Sequence, residues 1–160
     1  MPAAPTSPPS PHFTWRDLTR SQTATRNNLA NEPTLLEQAC LVDLCTHVLE
    51  PLRTRFPDLV ITSAYRSPIV NAKVGGSATS QHTKGQAADI EVPSLTNKDL
   101  AIYIRDHLDF DQIILEFHSD TDPHAGWVHV SYVRNANRRQ TLVARRSSLG
   151  KTVYTPGLPK

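Results

Sequence analysis

The sequence predicts a single α+β domain in which a small, mainly antiparallel sheet packs against helices. Three observations lead to this prediction. One long segment has the apolar period of a helix, several short segments are rich in β-branched residues, and the two kinds of segment do not alternate regularly. With 160 residues, of which 38% are hydrophobic, the chain is long enough to bury one core and short for two packed domains.

The first third of the chain predicts two short capped turns followed by one long helix. Residues 14–17 and 21–25 each begin with a Thr or Ser of the kind that caps a helix. From Pro33 to Leu52, apolar residues recur every three or four positions, which predicts an amphipathic helix of about five turns. Pro51 is expected to bend or end this helix, because proline lacks the backbone donor that the helix needs.

The rest of the chain predicts short strands and one more helix. Runs of β-branched residues bounded by turn residues predict strands at 59–65, 89–92, 112–117, 127–133 and 140–144, and helical spacing predicts a helix at 96–108. The third and fourth strands flank the polar loop 118–126 and are expected to pair as a hairpin. Because side chains alternate along a strand, Glu116 and His129 are then expected to be neighbours. After residue 144 the chain is expected to become loose.

These patterns divide the chain into a leader at 1–12, a domain at 13–146 and a C-terminal tail at 147–160. The first eleven residues contain five prolines, which indicates a flexible leader. They have neither the basic region nor the apolar region of a signal peptide, and no later segment is apolar for long enough to cross a bilayer. The protein is therefore expected to stay in the cytoplasm of the cell that makes it, without membrane insertion, until lysis or a separate export route releases it.

The charge of the chain argues against nucleic acid as a partner. A net charge of +2 and a pI near 8.7 are too mild for a polyanion-binding protein. Five arginines do gather late in the chain, namely Arg134, Arg138, Arg139, Arg145 and Arg146. We expect these arginines to lie on a solvated surface rather than to form a phosphate-binding patch.

One short stretch, SQHTKGQAAD at residues 80–89, carries the residue types of a metal site. His82 and Asp89 are joined by small residues, and Gly85 together with the strand that follows predicts a loop feeding a strand. Zinc prefers nitrogen and carboxylate ligands, and a hydrolytic site leaves one coordination position for water. His129 completes such a set. From residue type alone, the loop residues His118 and His124 remain rivals for the third position.

The motif Ser-x-His-x-x-Gly-x-Ala-x-Asp at 80–89, with the later Trp127-Val128-His129, resembles the zinc D-alanyl-D-alanine carboxypeptidase family. This family is also called the DD-peptidase or VanX-like family, and the likeness is closest to its members in bacteriophage endolysins. Further similar segments follow in the family's order over residues 13–146, a breadth that chance does not produce. The resemblance implies a Hedgehog/DD-peptidase-like fold and a zinc peptidase activity.

The resemblance also implies a role for each residue that matches the family motif. His82, Asp89 and His129 would bind one Zn²⁺ ion. Arg66, at the end of a strand, would face the substrate or the developing oxyanion, where a fixed guanidinium stabilises negative charge. Ser80 would lie at the rim of the site, near the bound peptide.

The position of the general base departs from the family pattern. Many members carry an acid or base two or three positions before the last histidine, where this chain has Gly126 and Trp127. Neither residue can move a proton. Glu116, on the opposite strand of the predicted hairpin, is therefore the expected base. The weaker substitutes are Asp111, Asp120 and Asp122.

We expect a monomeric zinc metallopeptidase that hydrolyses an amide bond in bacterial peptidoglycan, in stem or cross-link peptides, as a phage endolysin. The bond is expected to be of the D-Ala-D-Ala carboxypeptidase or L-Ala-D-Glu endopeptidase type. The alternative is a Hedgehog-like binding module that contains zinc but turns nothing over. A general base and an open coordination position distinguish the two, and Glu116 with Arg66 favours the enzyme.

Overall fold

The computed structural model describes residues 5–160 and has the α+β architecture that the sequence predicts. The helices are α1 (Trp15–Thr19), α2 (Gln22–Arg26), α3 (Leu35–Leu44), α4 (Glu50–Arg55), α5 (Pro68–Lys73) and α6 (Asn97–His107). The strands are β1 (Val60–Ser63), β2 (Ala87–Glu91), β3 (Gln112–Glu116), β4 (Trp127–Ser131), β5 (Gln140–Arg146) and β6 (Thr152–Pro156). A π-helical turn at Cys45–Leu49 joins α3 to α4, and a 3₁₀ turn at Gln81–Lys84 precedes β2.

The strands form one sheet in the order β1-β2-β4-β3-β5-β6. All neighbouring strands are antiparallel except β3 and β5, which are parallel. The predicted hairpin is confirmed, because β3 and β4 pair directly across the loop that joins them. This order places β2, β4 and β3 side by side in the middle of the sheet, with β1 and β6 at its edges.

One face of the sheet forms the hydrophobic core with the helices. Alternate residues of the central strands are fully or almost fully buried on this face, namely Ala88, Ile90, Ile113, Leu115, Val128 and Val130. They cluster with buried residues of the long helical segment and of α6, including Leu41, Leu44, Val48, Leu52, Leu100 and Ile104. Because successive side chains of a strand point to opposite faces, the residues between these apolar ones project from the other face.

The long predicted helix is confirmed, but it continues past Pro51 to Arg55. The expectation that Pro51 ends it is wrong. The π turn lies immediately before this proline, and there the Glu50 N–H donates to the Cys45 carbonyl five residues earlier. A wider turn at this point accommodates a residue that cannot donate and whose ring crowds the preceding turn.

No helix within residues 5–160 is long and apolar enough to cross a membrane.

Part of the predicted leader contacts the rest of the domain. Residues 1–4 of the predicted leader lie outside the described residues. Beyond them, Pro9 and Ser10 are buried, the Trp15 indole N–H donates to the Ser7 carbonyl at 2.8 Å, and the His12 backbone N–H donates to Glu50 at 2.8 Å. Packing therefore begins before residue 13.

Two elements differ from the sequence prediction. The predicted strand at 59–65 is limited to β1, and Ser67 and Pro68 then begin the short helix α5. The expected loose tail instead contains β6, which pairs with the end of β5. Every residue of β6 is exposed, so its sequence lacks the alternation that would reveal a strand, and pairing with β5 determines its conformation.

Gly85 → Ala is expected to destabilise the fold by about 3 kcal/mol or more. Gly85 has a φ of +70°, and a Cβ atom there would collide with the Glu37 carbonyl oxygen of α3. Gly150 → Ala is the matched control, because Gly150 has a φ of +76° and a Cβ atom added there would have nothing within 4 Å. The control is expected to lose only about 1–2 kcal/mol. Denaturant unfolding of both variants measures the difference, and equal losses would contradict the close approach of Gly85 to α3.

Candidate active site

Three separate elements bring His82, Asp89 and His129 to one point on the face of the sheet away from the core. His82 lies in the 3₁₀ turn, Asp89 in the middle of β2 and His129 in the middle of β4. Asp89 and His129 are direct partners across the two strands. All three side chains belong to residues that are 9% exposed or less. The structure thus brings together the three residues that the sequence motif singles out.

The distances within this cluster fit a tetrahedral metal ion. Asp89 Oδ1 lies 3.3 Å from His82 Nε2 and 3.3 Å from His129 Nδ1. Two ligand atoms on a tetrahedral zinc, with bonds of about 2.0–2.1 Å, are separated by roughly 3.3 Å. The donor atoms of all three residues lie within 4.8 Å of one another. The cluster can therefore hold a divalent cation, and its nitrogen and carboxylate donors suit zinc.

Neighbouring groups orient His82 and keep Asp89 ionised, as metal binding requires. His82 Nδ1 lies 2.7 Å from the Ala64 carbonyl oxygen and donates to it, which leaves the Nε2 lone pair free for a metal. Burial alone would raise the pKa of Asp89, but the neighbouring imidazoles His82 and His129 hold this pKa below its usual range. Asp89 is therefore ionised, as a metal ligand must be.

The motif around His82 folds through hydrogen bonds of its own. The Ser80 hydroxyl accepts from the His82 backbone N–H at 3.2 Å and so caps the 3₁₀ turn. The Thr83 hydroxyl donates to the Ser80 carbonyl at 2.7 Å, and Gly85 ends the turn in the left-handed conformation. Ser80 also borders the cleft described below.

Glu116 ends β3 on the same face of the sheet as the cluster. Its direct partner on β4 is Trp127, and Ile114 is the partner of His129, so Glu116 and His129 are diagonal neighbours. Burial raises the pKa of Glu116 to about 7, the negative charge of Asp89 adds to this, and His129 and Arg66 act in the opposite sense. A carboxylate that gains and loses its proton near neutral pH is suited to general acid–base chemistry.

Arg66 is held next to the cluster by its own backbone. Its N–H donates to the His82 carbonyl at 3.1 Å, which fixes the strand end beside the metal motif. Burial lowers the pKa of Arg66, and the charges of Asp89 and Glu116 oppose that effect. A guanidinium remains protonated under these conditions. Arg66 therefore supplies a positive charge close enough to interact with both Asp89 and Glu116.

These residues border an open cleft of about 680 Å³. Three of its lining residues have a buried polar atom that no residue within 5–160 satisfies, namely Arg66 Nε, Gln81 Oε1 and Trp127 Nε1. The Trp127 indole lies near the Glu116 carboxylate and favours its ionised form, but it does not reach hydrogen-bond geometry. Buried polar atoms normally have partners, so water or a bound ligand is expected to complete these three.

The alternative candidates for the third metal ligand and for the general base lie outside the cluster. Within residues 5–160, one group of three or more His, Cys, Asp or Glu side chains is close enough to share a metal ion, and it consists of His82, Asp89 and His129. Neither His118 nor His124 belongs to it. Asp120 is exposed, and its carboxylate lies 3.9 Å from His118 Nε2. Neither Asp120 nor Asp122 borders the cleft.

Asp111, the remaining alternative base, has a structural partner instead. Its carboxylate is buried and forms an ion pair with Arg138 at 2.7 Å. It also accepts from the Gln81 side-chain amide at 2.9 Å. A carboxylate occupied by a guanidinium and an amide is not free to take a proton from water. Asp111 therefore acts as an anchor for the loop that carries Arg138 and for the 3₁₀ turn.

The late arginines are largely committed to ion pairs. Arg138 pairs with Asp111, Arg134 with Asp43, and Arg139 with Asp109. Arg139 also donates to the backbone carbonyls of Leu108 and Arg105. Three of the five arginines thus connect loops to the body of the domain. These three side chains are therefore not free to form a polyanion-binding patch.

The C-terminal strands supply a wall of the cleft that sequence reasoning missed. Arg146 of β5 and Thr152 and Tyr154 of β6 all border the cleft. Tyr154 is the partner of Ala144, which is itself the partner of Glu116, so one row of residues runs from the candidate base to this wall. No local signal could have revealed this, because it depends on the pairing of β6 with β5.

The chemistry of the ligand set distinguishes two kinds of metal site. Structural zinc sites are closed by four protein ligands and are often rich in cysteine, whereas this cluster has two imidazoles and one carboxylate beside an ionisable glutamate. The ligand set is therefore of the kind that metal-dependent hydrolases use. A family model described as Peptidase M15 matches residues 11–131, and the chain belongs to that family of metallopeptidases. No curated protein gives a significant match.

The match confirms the family resemblance that the sequence motif indicates. It covers most of the chain and contains all six predicted site residues, which are Arg66, Ser80, His82, Asp89, Glu116 and His129. It ends with β4, so β5 and β6 lie outside the matched range. The wall that carries Tyr154 is therefore an addition to the matched part of the domain.

Glu116 → Gln is expected to stabilise the metal-free protein at pH 8 by about 1–2 kcal/mol, a figure discounted for partial exposure. The folded-state pKa of about 7 lies above the ordinary value of 4.5. Ionising Glu116 therefore disfavours the folded state, and this penalty grows as the pH rises from about 4.5 to 7. Below pH 4 the two proteins are expected to be equally stable.

Unfolding by denaturant at several pH values, with a chelator present throughout, measures this difference. The control is Glu32 → Gln, which changes an exposed glutamate outside the cleft and is expected to have little effect at any pH. A Glu116 → Gln variant that is less stable than the wild-type protein at pH 8 would contradict the raised pKa.

Proposed function

We propose that this M15 peptidase is a zinc enzyme that hydrolyses an amide bond in the stem or cross-link peptides of bacterial peptidoglycan. The observation that carries the proposal is the convergence of His82, Asp89 and His129 in one cleft with Glu116 and Arg66. The bond is of the D-Ala-D-Ala carboxypeptidase or L-Ala-D-Glu endopeptidase type. The proposed biological role is that of a phage endolysin, made in the host cytoplasm and acting as a monomer on the wall.

The proposed mechanism assigns the metal ligands first. His82 Nε2, Asp89 Oδ1 and His129 Nδ1 would hold one zinc ion, in accord with their spacing of 3.3 Å around Asp89. A zinc ion in such a site supplies Lewis acidity toward the scissile carbonyl and toward water. The hydrogen bond from His82 to Ala64 orients the imidazole and makes it a better ligand.

Glu116 is assigned the proton transfers, and Arg66 is assigned the stabilisation of the oxyanion. Glu116 takes one proton from the attacking water as the carbon–oxygen bond forms, and it delivers that proton to the leaving amine as the carbon–nitrogen bond breaks. The Arg66 guanidinium faces the oxyanion that develops on the carbonyl. One water molecule is consumed, and the products are a carboxylic acid and an amine.

Substrate binding is assigned to the rim of the cleft. Arg66 and Ser80 both border it, and the buried Arg66 Nε has no partner among the described residues. A peptide carbonyl or carboxylate would satisfy this donor. The Ser80 hydroxyl already accepts from the His82 N–H, but its own proton remains available to a substrate oxygen.

Digestion of purified peptidoglycan, followed by mass spectrometry of the released amines, tests the activity. The wild-type protein loaded with zinc is expected to release new amino termini or free amino acids, and a chelator is expected to abolish the release. Glu116 → Gln is expected to reduce the rate at least 100-fold while zinc stays bound, because proton transfer contributes about 10²–10⁴-fold to such reactions. Glu32 → Gln is the control and is expected to keep the wild-type rate.

Two results would argue against the assignment. Full activity of the zinc-loaded Glu116 → Gln protein would remove Glu116 from the role of base. Tight binding of peptidoglycan peptides by the zinc-loaded wild-type protein, without release of any amine, would favour the Hedgehog-like binding module instead.

A further inference from the structure

A second cleft opens beside the candidate active site, on the side of β1. Its volume is about 940 Å³, and Arg66 and Asp89 border both clefts, so the two are adjacent. Three more arginines line it, namely Arg16 of α1, Arg20 after α1 and Arg26 of α2. We call it the arginine cleft.

The positive charges of the arginine cleft are not neutralised by the protein. Within residues 5–160, none of Arg16, Arg20 and Arg26 has a carboxylate oxygen within the 4.0 Å of an ion pair. The one acidic residue that borders this cleft is Asp89, which belongs to the candidate metal cluster. Three of the five late arginines differ in this respect, since Arg134, Arg138 and Arg139 are paired.

The segment around α1 contacts β1 and the residues that follow it through two hydrogen bonds. Arg20 Nη2 donates to the Ile61 carbonyl of β1 at 2.9 Å, and the Tyr65 N–H, beyond the end of β1, donates to the Leu18 carbonyl of α1 at 2.8 Å. Arg20 is thus engaged with the protein backbone. Arg16 and Arg26 are exposed, and of these Arg26 donates to the Gln22 side chain at 3.3 Å.

We propose that the arginine cleft binds a carboxylate-bearing segment of the peptide substrate, while the reacting amide lies at the candidate metal cluster. Unpaired guanidiniums in a concave surface are complementary to carboxylates, which they bind through two parallel hydrogen bonds. The two clefts meet at Arg66 and Asp89, so an extended peptide whose reacting amide lies at the metal cluster has the arginine cleft beside it. This inference rests on the proposed function, because it assumes that the substrate is a peptide, and it makes that peptide anionic.

The double variant Arg16 → Gln/Arg26 → Gln tests the inference. It spares Arg66 and also Arg20, whose guanidinium holds the Ile61 carbonyl. Two soluble stem peptides that differ only in whether their internal carboxylates are free or amidated serve as substrates. The wild-type protein is expected to favour the free-acid peptide by about tenfold in kcat/KM at low salt, and less at high salt. The double variant is expected to lose this preference through KM, with kcat unchanged.

Arg53 → Gln is the matched control. Arg53 lies on α4, borders neither cleft and forms no ion pair within the described residues. The control is expected to keep the wild-type preference, which separates an effect of the arginine cleft from the effect of removing an arginine elsewhere. Thermal unfolding of all variants verifies that each is folded.

Affinity measurements on the zinc-loaded Glu116 → Gln protein, by calorimetry with the same two peptides, make the outcome independent of turnover. Cleavage with no preference between the peptides, or a preference that survives in the double variant, overturns the inference and leaves the proposed function standing. A second outcome is that the free-acid peptide binds in a charge-dependent way, that the double variant loses this binding, and that the wild-type protein cleaves neither peptide. This outcome supports the arginine cleft as a carboxylate site and argues against the proposed function. If the double variant changes only retention on insoluble wall, the cleft binds a polymer and the inference is wrong.

Discussion

The antiparallel pairing of β2 with β4 is the constraint on which the rest of the site depends. It places Asp89 directly opposite His129 on the face away from the core. A slip of β2 by one residue would turn Asp89 into the hydrophobic core, where its apolar neighbours Ala88 and Ile90 now lie. A slip of β4 would do the same to His129, whose buried neighbours are Val128 and Val130. The burial of those neighbours therefore fixes the register, and the register assembles two of the three candidate ligands before any metal binds.

The core also sustains a site that is unfavourable by itself. Asp89, Glu116 and Arg66 are buried or partly buried, and burial disfavours the charged form of each. The attraction of Arg66 to both carboxylates and the two imidazoles offset part of this, whereas Asp89 and Glu116 repel each other. The buried polar atoms of Gln81 and Trp127 remain without partners among the described residues. Functional sites commonly retain such local conflicts, since a substrate and a metal ion are needed to resolve them.

The sequence predicted those parts of the fold and site that depend on local pattern. The apolar period of residues 33–52 and the Thr and Ser caps of α1 and α2 were sufficient for the helices, and strand alternation was sufficient to put Glu116 and His129 on one face. What could not be predicted depends on contacts between distant segments. β6 exists through its pairing with β5, and the π turn accommodates Pro51 within a packed helix. Arg16 and Arg26 reach the arginine cleft only because α1 packs against β1 and α2 packs against α5.

The central claim is that His82, Asp89 and His129 bind a single catalytic ion and leave one position to solvent. X-ray absorption spectroscopy of the zinc-loaded protein tests it most directly, together with the metal content of the wild-type and His129 → Ala proteins. We predict one zinc per chain, bound by two imidazole nitrogens, one carboxylate and one solvent oxygen, with one imidazole lost in the variant. A sulfur ligand, a shell of four protein ligands, or an unchanged spectrum in His129 → Ala would contradict this prediction.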